Sequence, residues 1–321
     1  MKTPTVIIHT DNPGPSKEIL DKTQPDLSVW TCSTYDGLAG LIDETQAEVI
    51  YSVRFQGTPG FPRQAVVNSE SVRWVSVGGS GTDHLAPWDP SQVTVTNAAG
   101  VAADMMSQYV LGVMLYFSLG FPKYRAAQTR HEWLIGEAQP IDGKTVLILG
   151  LGRTGQAVAA RLKVMGLNTL GVRANPKDTA HVDEVHGVDA LGGLWERADF
   201  LVVCVPLLKS TRDLVSGAAF KKLKPSAVVI DISRGGVVDE KALISALDAG
   251  RIQGAGLDVF STEPLPQGHR LWGYENVVVT PHCSAAYVGW DLKSVKMFSE
   301  NLTRYRHGET LSNIVDPVRG Y

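Results

Sequence analysis

Cysteine is scarce: the 321-residue chain has three, Cys32, Cys204 and Cys283, an odd number without metal-like spacing. A disulfide framework is therefore not expected, and two of the three stand in apolar, strand-like contexts, so a reducing, cytoplasmic setting is the simplest reading. No His, Cys or carboxylate cluster has ligand spacing either, and no metal site is expected. Charge of one sign is missing too. With 30 Lys and Arg against 33 Asp and Glu, and a formal net charge of -3, no broad basic surface is available for nucleic acid or anionic lipid. Small molecules and proteins remain as partners. The apolar part of "MKTPTVIIHT" is too short for a signal sequence and has no small-residue cleavage pattern after it. The uncharged stretch Met105 to Pro122 approaches a membrane span in length, but Ser107, Gln108 and Ser118 interrupt it and no second span follows. A buried core helix or a dimer-interface helix is expected there.

What is present suffices for about two domains, since 44% of the residues are hydrophobic and 20% charged. Short β-branched runs, "TVIIHT", "EVIYSV", "VRWVSVG" and "VTVTN", precede a long apolar helix that begins near Val101. After it, "KTVLILG", "NTLGVR", "DFLVVCVP", "SAVVIDIS", "QGAGLDVF" and "NVVVTP" recur with helices between most of them. This is α/β patterning, with parallel strands buried on both faces. A final helix, roughly Ala286 to His307, carries Val295, Phe298, Leu302 and Tyr305 at helical spacing. Its return to the first domain is expected, although periodicity alone leaves packing on the second open. Brief crossings near residues 98 and 288 divide the chain into residues 1–98 with 289–321, and residues 99–288.

"ILGLGRTGQAVAARL" sets Gly150, Gly152 and Gly155 in a G-x-G-x-x-G pattern between a strand and a helix. The first glycine permits a tight turn, the second lets the backbone approach a pyrophosphate, and the third lets helix and strand pack closely; free N–H groups near Arg153 and Thr154 meet the negative charge. The next strand ends at Arg173, where an acidic residue would accept from both hydroxyls of an adenosine ribose. A guanidinium there suits a 2′-phosphate, and Asn175 and Lys177 add a donor and a second cation. The composition favours NADP(H) over NAD(H). A surface arginine beside a pocket that accepts both cofactors is the other reading.

Three later strand ends carry polar residues, the location at which open α/β sheets bind ligands. Arg234 in "SRGGVVDEKAL" is flanked by glycines and can grip a carboxylate and an adjacent carbonyl. His282 in "TPHCSAA" is a natural proton exchanger near neutrality, and Glu263 in "STEPLP" can pair with its imidazolium. Singly, each has a duller explanation: a salt-bridged arginine, an N-capping glutamate, a hydrogen-bonded core histidine.

In this order, the glycine pattern, "SRGGVVDEKAL", "GLDVFSTEP" and "TPHCSA" resemble the D-isomer-specific 2-hydroxyacid dehydrogenases, the family of glyoxylate/hydroxypyruvate reductases and 3-phosphoglycerate dehydrogenases. The resemblance spans almost the whole chain, since "GGSGTDHL" is similar to the family's substrate loop and "FSENLTRYRHGETLSNIVD" to its returning C-terminal helix. It implies an α/β enzyme of two Rossmann/flavodoxin-like domains, substrate-binding (1–98 with 289–321) and dinucleotide-binding (99–288), with an active-site cleft between them. By resemblance, Arg234 orients the substrate carboxylate and carbonyl, His282 exchanges a proton with the C2 oxygen, and Glu263 supports His282. The N–H groups of Ser80 and Gly81 match the carboxylate-binding loop, although a glycine-rich turn would look the same. Arg54 faces the same site or is solvated. Val205, Pro206 and Thr211 match the loop lining the cofactor riboses; Ile232, Ser233, Asp258, His282 and Ser284 match the nicotinamide side.

The expected reaction is NAD(P)H-dependent reduction of a small 2-oxo acid of glyoxylate or hydroxypyruvate type to the D-2-hydroxy acid, with NADPH preferred and NAD(H) possible. A homodimer through the cofactor domain is expected from the uncharged helix and from the family. Two alternatives share the fold: a dinucleotide-sensing protein similar to the C-terminal binding protein corepressors, and a phosphite-type dehydrogenase. Formate dehydrogenases of the superfamily carry glutamine at the position of Glu263, which argues against that activity.

Overall fold

Runs of valine and isoleucine without polar alternation can bury both faces of a strand, and such strands are covered by helices on either side. The computed structural model, which describes residues 3–53, 60–136 and 138–320, has two sheets of this kind. The chain divides into two compact units, Met1–Val101 with Tyr287–Tyr321, and Ala102–Ala286.

In the first unit the order is β1 (Val6–His9), α1 (Pro13–Thr23), β2 (Val29–Cys32), α2 (Tyr35–Thr45), β3 (Val49–Ser52), α3 (Arg63–Val67), β4 (Trp74–Val77) and β5 (Thr94–Asn97). The strands are parallel in the order β2-β1-β3-β4-β5, the flavodoxin-like winding. One face of the sheet packs Ile7, Ile50 and Val75 against Leu38 and Ile42 of α2. The other packs Val6, Ile8 and Trp74 against the C-terminal helix through Val295, Phe298 and Leu302, so that helix belongs to this unit.

The second unit holds α4 (Ala103–Ser118), α5 (Phe121–Thr129), β6 (Thr145–Leu149), α6 (Arg153–Val164), β7 (Asn168–Val172), β8 (Glu184–His186), β9 (Phe200–Val203), α7 (Gly217–Lys222), β10 (Val228–Asp231), α8 (Glu240–Asp248), β11 (Gly254–Leu257) and β12 (Val277–Val279). Its seven strands run in the order β12-β11-β10-β9-β6-β7-β8. The order reverses between β6 and β9, so the loops after these two strands flank the point where such sheets bind nucleotides.

Three local findings depart from the sequence pattern. The uncharged stretch from Met105 to Pro122 is two helices, α4 and α5, separated by Gly120 at φ 75°. Among the described residues no helix is long and apolar enough to cross a membrane. The last helix, α9 (Trp290–His307), begins four residues later than its apolar pattern suggests, after Gly289 at φ 84°. Strands β2 and β8 were not anticipated; both lie at sheet edges.

Candidate active site

The loop from β6 into α6 shows why three glycines are needed. Gly150 has φ 97°, and a Cβ there would meet the Cys204 carbonyl oxygen at 2.9 Å; a Cβ on Gly155 would meet the Gly150 carbonyl oxygen at 1.9 Å. At Gly152 a Cβ meets nothing within 4 Å, so the space beside the first turn of α6 is open. N–H groups of Arg153, Thr154 and Gly155 begin that helix without a side-chain cap, an arrangement suited to a pyrophosphate. Cys204 supports the loop from below, its thiol donating to the carbonyls of Leu149 (3.3 Å) and Gly150 (3.2 Å). Burial pushes that thiol up to about 12, so it is a protonated donor and no nucleophile.

Arg173 follows β7, and its N–H donates to the His186 carbonyl of β8. Its side chain takes no hydrogen bond or ion pair among the described residues, and Asn175 and Lys177 beyond it are exposed. After β9, the Thr211 hydroxyl donates to the Pro206 carbonyl at 2.6 Å and accepts from the Leu208 N–H at 2.7 Å, which closes the loop carrying Val205 and Pro206. Ile232 is buried in the core and Ser233 is tied to Asp231, so both leave backbone rather than side chain to a ligand.

Arg234 is half-buried, with Nη1 donating to the Ser233 carbonyl at 2.7 Å. Gly235 explains how the chain passes here: a Cβ would lie 1.8 Å from the Phe260 carbonyl oxygen. The loop of Arg234 is thereby pressed against the loop of Glu263. One Glu263 oxygen accepts from the Phe260 N–H at 3.0 Å, and the other is 2.8 Å from His282 Nδ1. Burial alone would raise the Glu263 pKa, but the bonds from His282 and Phe260 and the field of Arg234 outweigh it and hold the carboxyl below its ordinary range. An ionised Glu263 only accepts, so it fixes the proton on Nδ1 of His282. His282 itself sits at φ 52°, a left-handed conformation that a non-glycine residue adopts at a cost.

Asp258 has a task beyond the one expected. It is 1% exposed, and its oxygens accept from the Thr280 hydroxyl (2.6 Å), the Cys283 N–H (2.8 Å) and the Ser284 N–H (2.9 Å). Its carboxylate therefore anchors the segment that carries His282 and Ser284. Thr280 is in turn 2.8 Å from the Tyr109 hydroxyl of α4. Tyr109, Thr280, Cys204 and Asp231 escaped the sequence reading. Asp231 had a visible signal, a carboxylate ending an otherwise apolar strand, whereas the other three look like ordinary core residues until the fold assembles them.

In the other unit, the loop after β4 is held by Asn97, whose Nδ2 donates to the Ser80 carbonyl at 2.7 Å, and by the Ala98 N–H, which donates to the Gly79 carbonyl at 2.9 Å. Among the described residues the N–H groups of Ser80 and Gly81 donate to no acceptor. Arg54 lies outside the described residues.

A glycine-loop sheet at a topological switch point, with an imidazole, a carboxylate and a guanidinium on neighbouring strand ends, defines the class of nicotinamide-dinucleotide oxidoreductases. Residues 111–284 match the model of the D-isomer specific 2-hydroxyacid dehydrogenase NAD binding domain. The chain belongs to the D-isomer specific 2-hydroxyacid dehydrogenase family. It is 38% identical to the glyoxylate reductase of Thermococcus gammatolerans over 78% of each chain. It is 32% identical to the D-3-phosphoglycerate dehydrogenase of Methanocaldococcus jannaschii over 79% of this chain, a match that takes in about half of that longer protein (49%). Among solved structures, a D-isomer specific 2-hydroxyacid dehydrogenase from Xanthobacter autotrophicus in complex with NADPH superposes with a TM-score of 0.86 at 30% identity, covering 100% of both chains. An NADPH-dependent glyoxylate/hydroxypyruvate reductase from Sinorhizobium meliloti gives 0.83 at 27% identity, again over 100% of both.

Proposed function

We propose that this enzyme reduces a small 2-oxo acid of glyoxylate or hydroxypyruvate type to the D-2-hydroxy acid, with NADPH preferred over NADH. The observation that carries the reading is the 2.8 Å contact between His282 Nδ1 and Glu263, beside the loop of Arg234. Arg234 holds the substrate carboxylate and carbonyl. His282 gives a proton from Nε2 to the C2 oxygen as negative charge builds there, and Glu263 stabilises the imidazolium before transfer and keeps its orientation afterwards. The reduced nicotinamide, when bound, supplies the hydride.

The open space at Gly152 and the uncapped start of α6 fit the pyrophosphate, with Gly150, Arg153, Thr154 and Gly155 around it. Val205, Pro206, Thr211, Ile232, Ser233, Asp258 and Ser284 line the rest of the cofactor site in this reading, within a dinucleotide domain of residues 99–288. Residues 1–98 with 289–321 form the substrate domain, where Ser80 and Gly81 offer backbone donors to the carboxylate. Arg173, with Asn175 and Lys177, takes the 2′-phosphate. The glyoxylate reductase names among relatives and the NADPH in the Xanthobacter structure support the substrate class and the cofactor.

The test follows the loss of reduced-nicotinamide absorbance with NADPH or NADH against glyoxylate, hydroxypyruvate, pyruvate and phenylpyruvate, for the native protein and Arg173→Asp. Native turnover favouring NADPH is expected, with the preference moved toward NADH in the variant. Cofactor binding without turnover of any oxo acid would move the reading to a dinucleotide sensor, and an unchanged cofactor ratio in the variant would remove Arg173 from the 2′-phosphate site.

A further inference from the structure

Asp231 has no part in the reaction as derived above, yet it is 2% exposed at the end of β10, between Val203 of β9 and Leu257 of β11. Burying a carboxylate costs free energy that must be offset by bonds. Its Oδ1 accepts from the Ser233 N–H at 2.9 Å and the Ser233 hydroxyl at 2.5 Å, an Asx-type turn that fixes the residue preceding Arg234. Arg234 Nη1 then donates back to the Ser233 carbonyl at 2.7 Å. Both the backbone and the guanidinium of Arg234 are thus referred to a residue that Asp231 clamps.

Charged and titratable groups reach Asp231 from each neighbouring element. Asp258 comes from β11, its N–H donating to the Asp231 carbonyl at 3.0 Å, and Arg234 from the same loop. Cys204 from the end of β9 and Tyr109 from α4 feel its charge, and Glu240 of α8 lines the same small cavity.

We propose that Asp231 is a positioning residue for Arg234 that also sets the charge an anionic substrate meets there. The proposal rests on the assignment of the substrate carboxylate to Arg234. The carboxyl oxygen holds the turn whether or not the group is protonated, whereas its negative charge, when present, opposes that of Arg234. Burial pushes the Asp231 carboxyl up to about 7, helped by Asp258 and resisted by the Ser233 bonds and Arg234. Below that pH the group is neutral and Arg234 acts at full strength; above it the added negative charge weakens the hold on an anion. Affinity for the substrate carboxylate therefore falls as pH rises through neutrality, and binding draws part of a proton onto the protein.

The full chain saturated with NADPH is titrated with oxamate, an unreactive 2-oxo acid mimic, by calorimetry at several pH values around neutrality and in buffers of different ionisation enthalpy. For the native protein, affinity should fall about three- to tenfold from mildly acidic to mildly alkaline pH, the size of one screened charge interaction. Asp231→Asn keeps the Oδ1 acceptor and loses the charge: its affinity should fall less steeply with pH than that of the native protein, with less proton uptake. A proton bound by His282 is common to both proteins and cancels in the difference. Asp231→Ala, without the acceptor, should bind weakly throughout. An Asp231→Asn protein with the native pH profile and proton uptake overturns the inference alone. Native protein that binds no oxamate, or Arg234→Gln that binds it as well as native, overturns the assignment of Arg234 and the inference with it.

Discussion

Glu263 accepts from two directions, the Phe260 N–H and His282 Nδ1, so its carboxylate is held by its own loop before it holds the imidazole. That separates its contribution from that of His282. His282→Ala removes the proton donor and should lower kcat by about 10²- to 10⁴-fold, while NADPH still binds. Glu263→Gln can still take the Phe260 N–H, but a neutral amide no longer favours the imidazolium, so activity should be lost at the alkaline end of the pH profile first. Steady-state rates across pH, with cofactor binding measured separately, check both; native kcat in His282→Ala would remove it from the proton transfer. At this scale the sequence was informative because Arg234, Glu263 and His282 are polar residues at the ends of apolar strands. The contacts of Asp258 were not readable. Its partners, Thr280 and the N–H groups of Cys283 and Ser284, come from the neighbouring strand end, and two of the three are backbone groups common to every residue.

The turn between β6 and α6 is where an element's geometry decides function, and its glycines make opposite demands. Gly155→Ala places a methyl 1.9 Å from a backbone oxygen, a clash with no flexible neighbour to yield. It should cost about 1–3 kcal/mol or more of stability and take cofactor binding with it. Gly152→Ala meets nothing within 4 Å, so the protein should keep its melting temperature and lose affinity for NADPH alone, because the methyl fills space reserved for the pyrophosphate. Thermal melts and equilibrium binding of both variants distinguish the two demands; unchanged NADPH affinity in Gly152→Ala would argue against a pyrophosphate at this turn. Elements buried on both faces were legible from their valine and isoleucine runs. The two missed strands are edges: β2, "VWTC", has two exposed residues in its middle, and β8, "EVH", is three residues long with polar groups at both ends. An edge strand is held by one neighbour's backbone, which leaves little imprint on composition.

For the whole molecule, the question is what covers the outer side of α4. Val110, Val113, Met114 and Phe117 fill the core beneath it, but Tyr109, Gly112 and Tyr116 line an open depression together with Val277 and Val278 of the edge strand β12. Beyond the helix, Leu119 is 39% and Phe121 47% exposed, continuing the apolar surface. A surface of this kind on a chain of net charge -3 invites a second copy, because the two units bring no strong repulsion and both lose apolar area to water. The dimer expected from the sequence would use it. Gly112 offers a clean test, since a side chain there meets nothing within 4 Å inside the chain and a glycine in a helix interior is itself unfavourable. Gly112→Glu should therefore leave the fold intact or slightly more stable, yet put a carboxylate into the middle of the apolar face. Sedimentation at micromolar concentration should give twice the 34.6 kDa chain mass for the native protein and the single mass for the variant. A native monomer would show that this face is covered by something other than a second copy, and a dimeric variant would move the interface elsewhere.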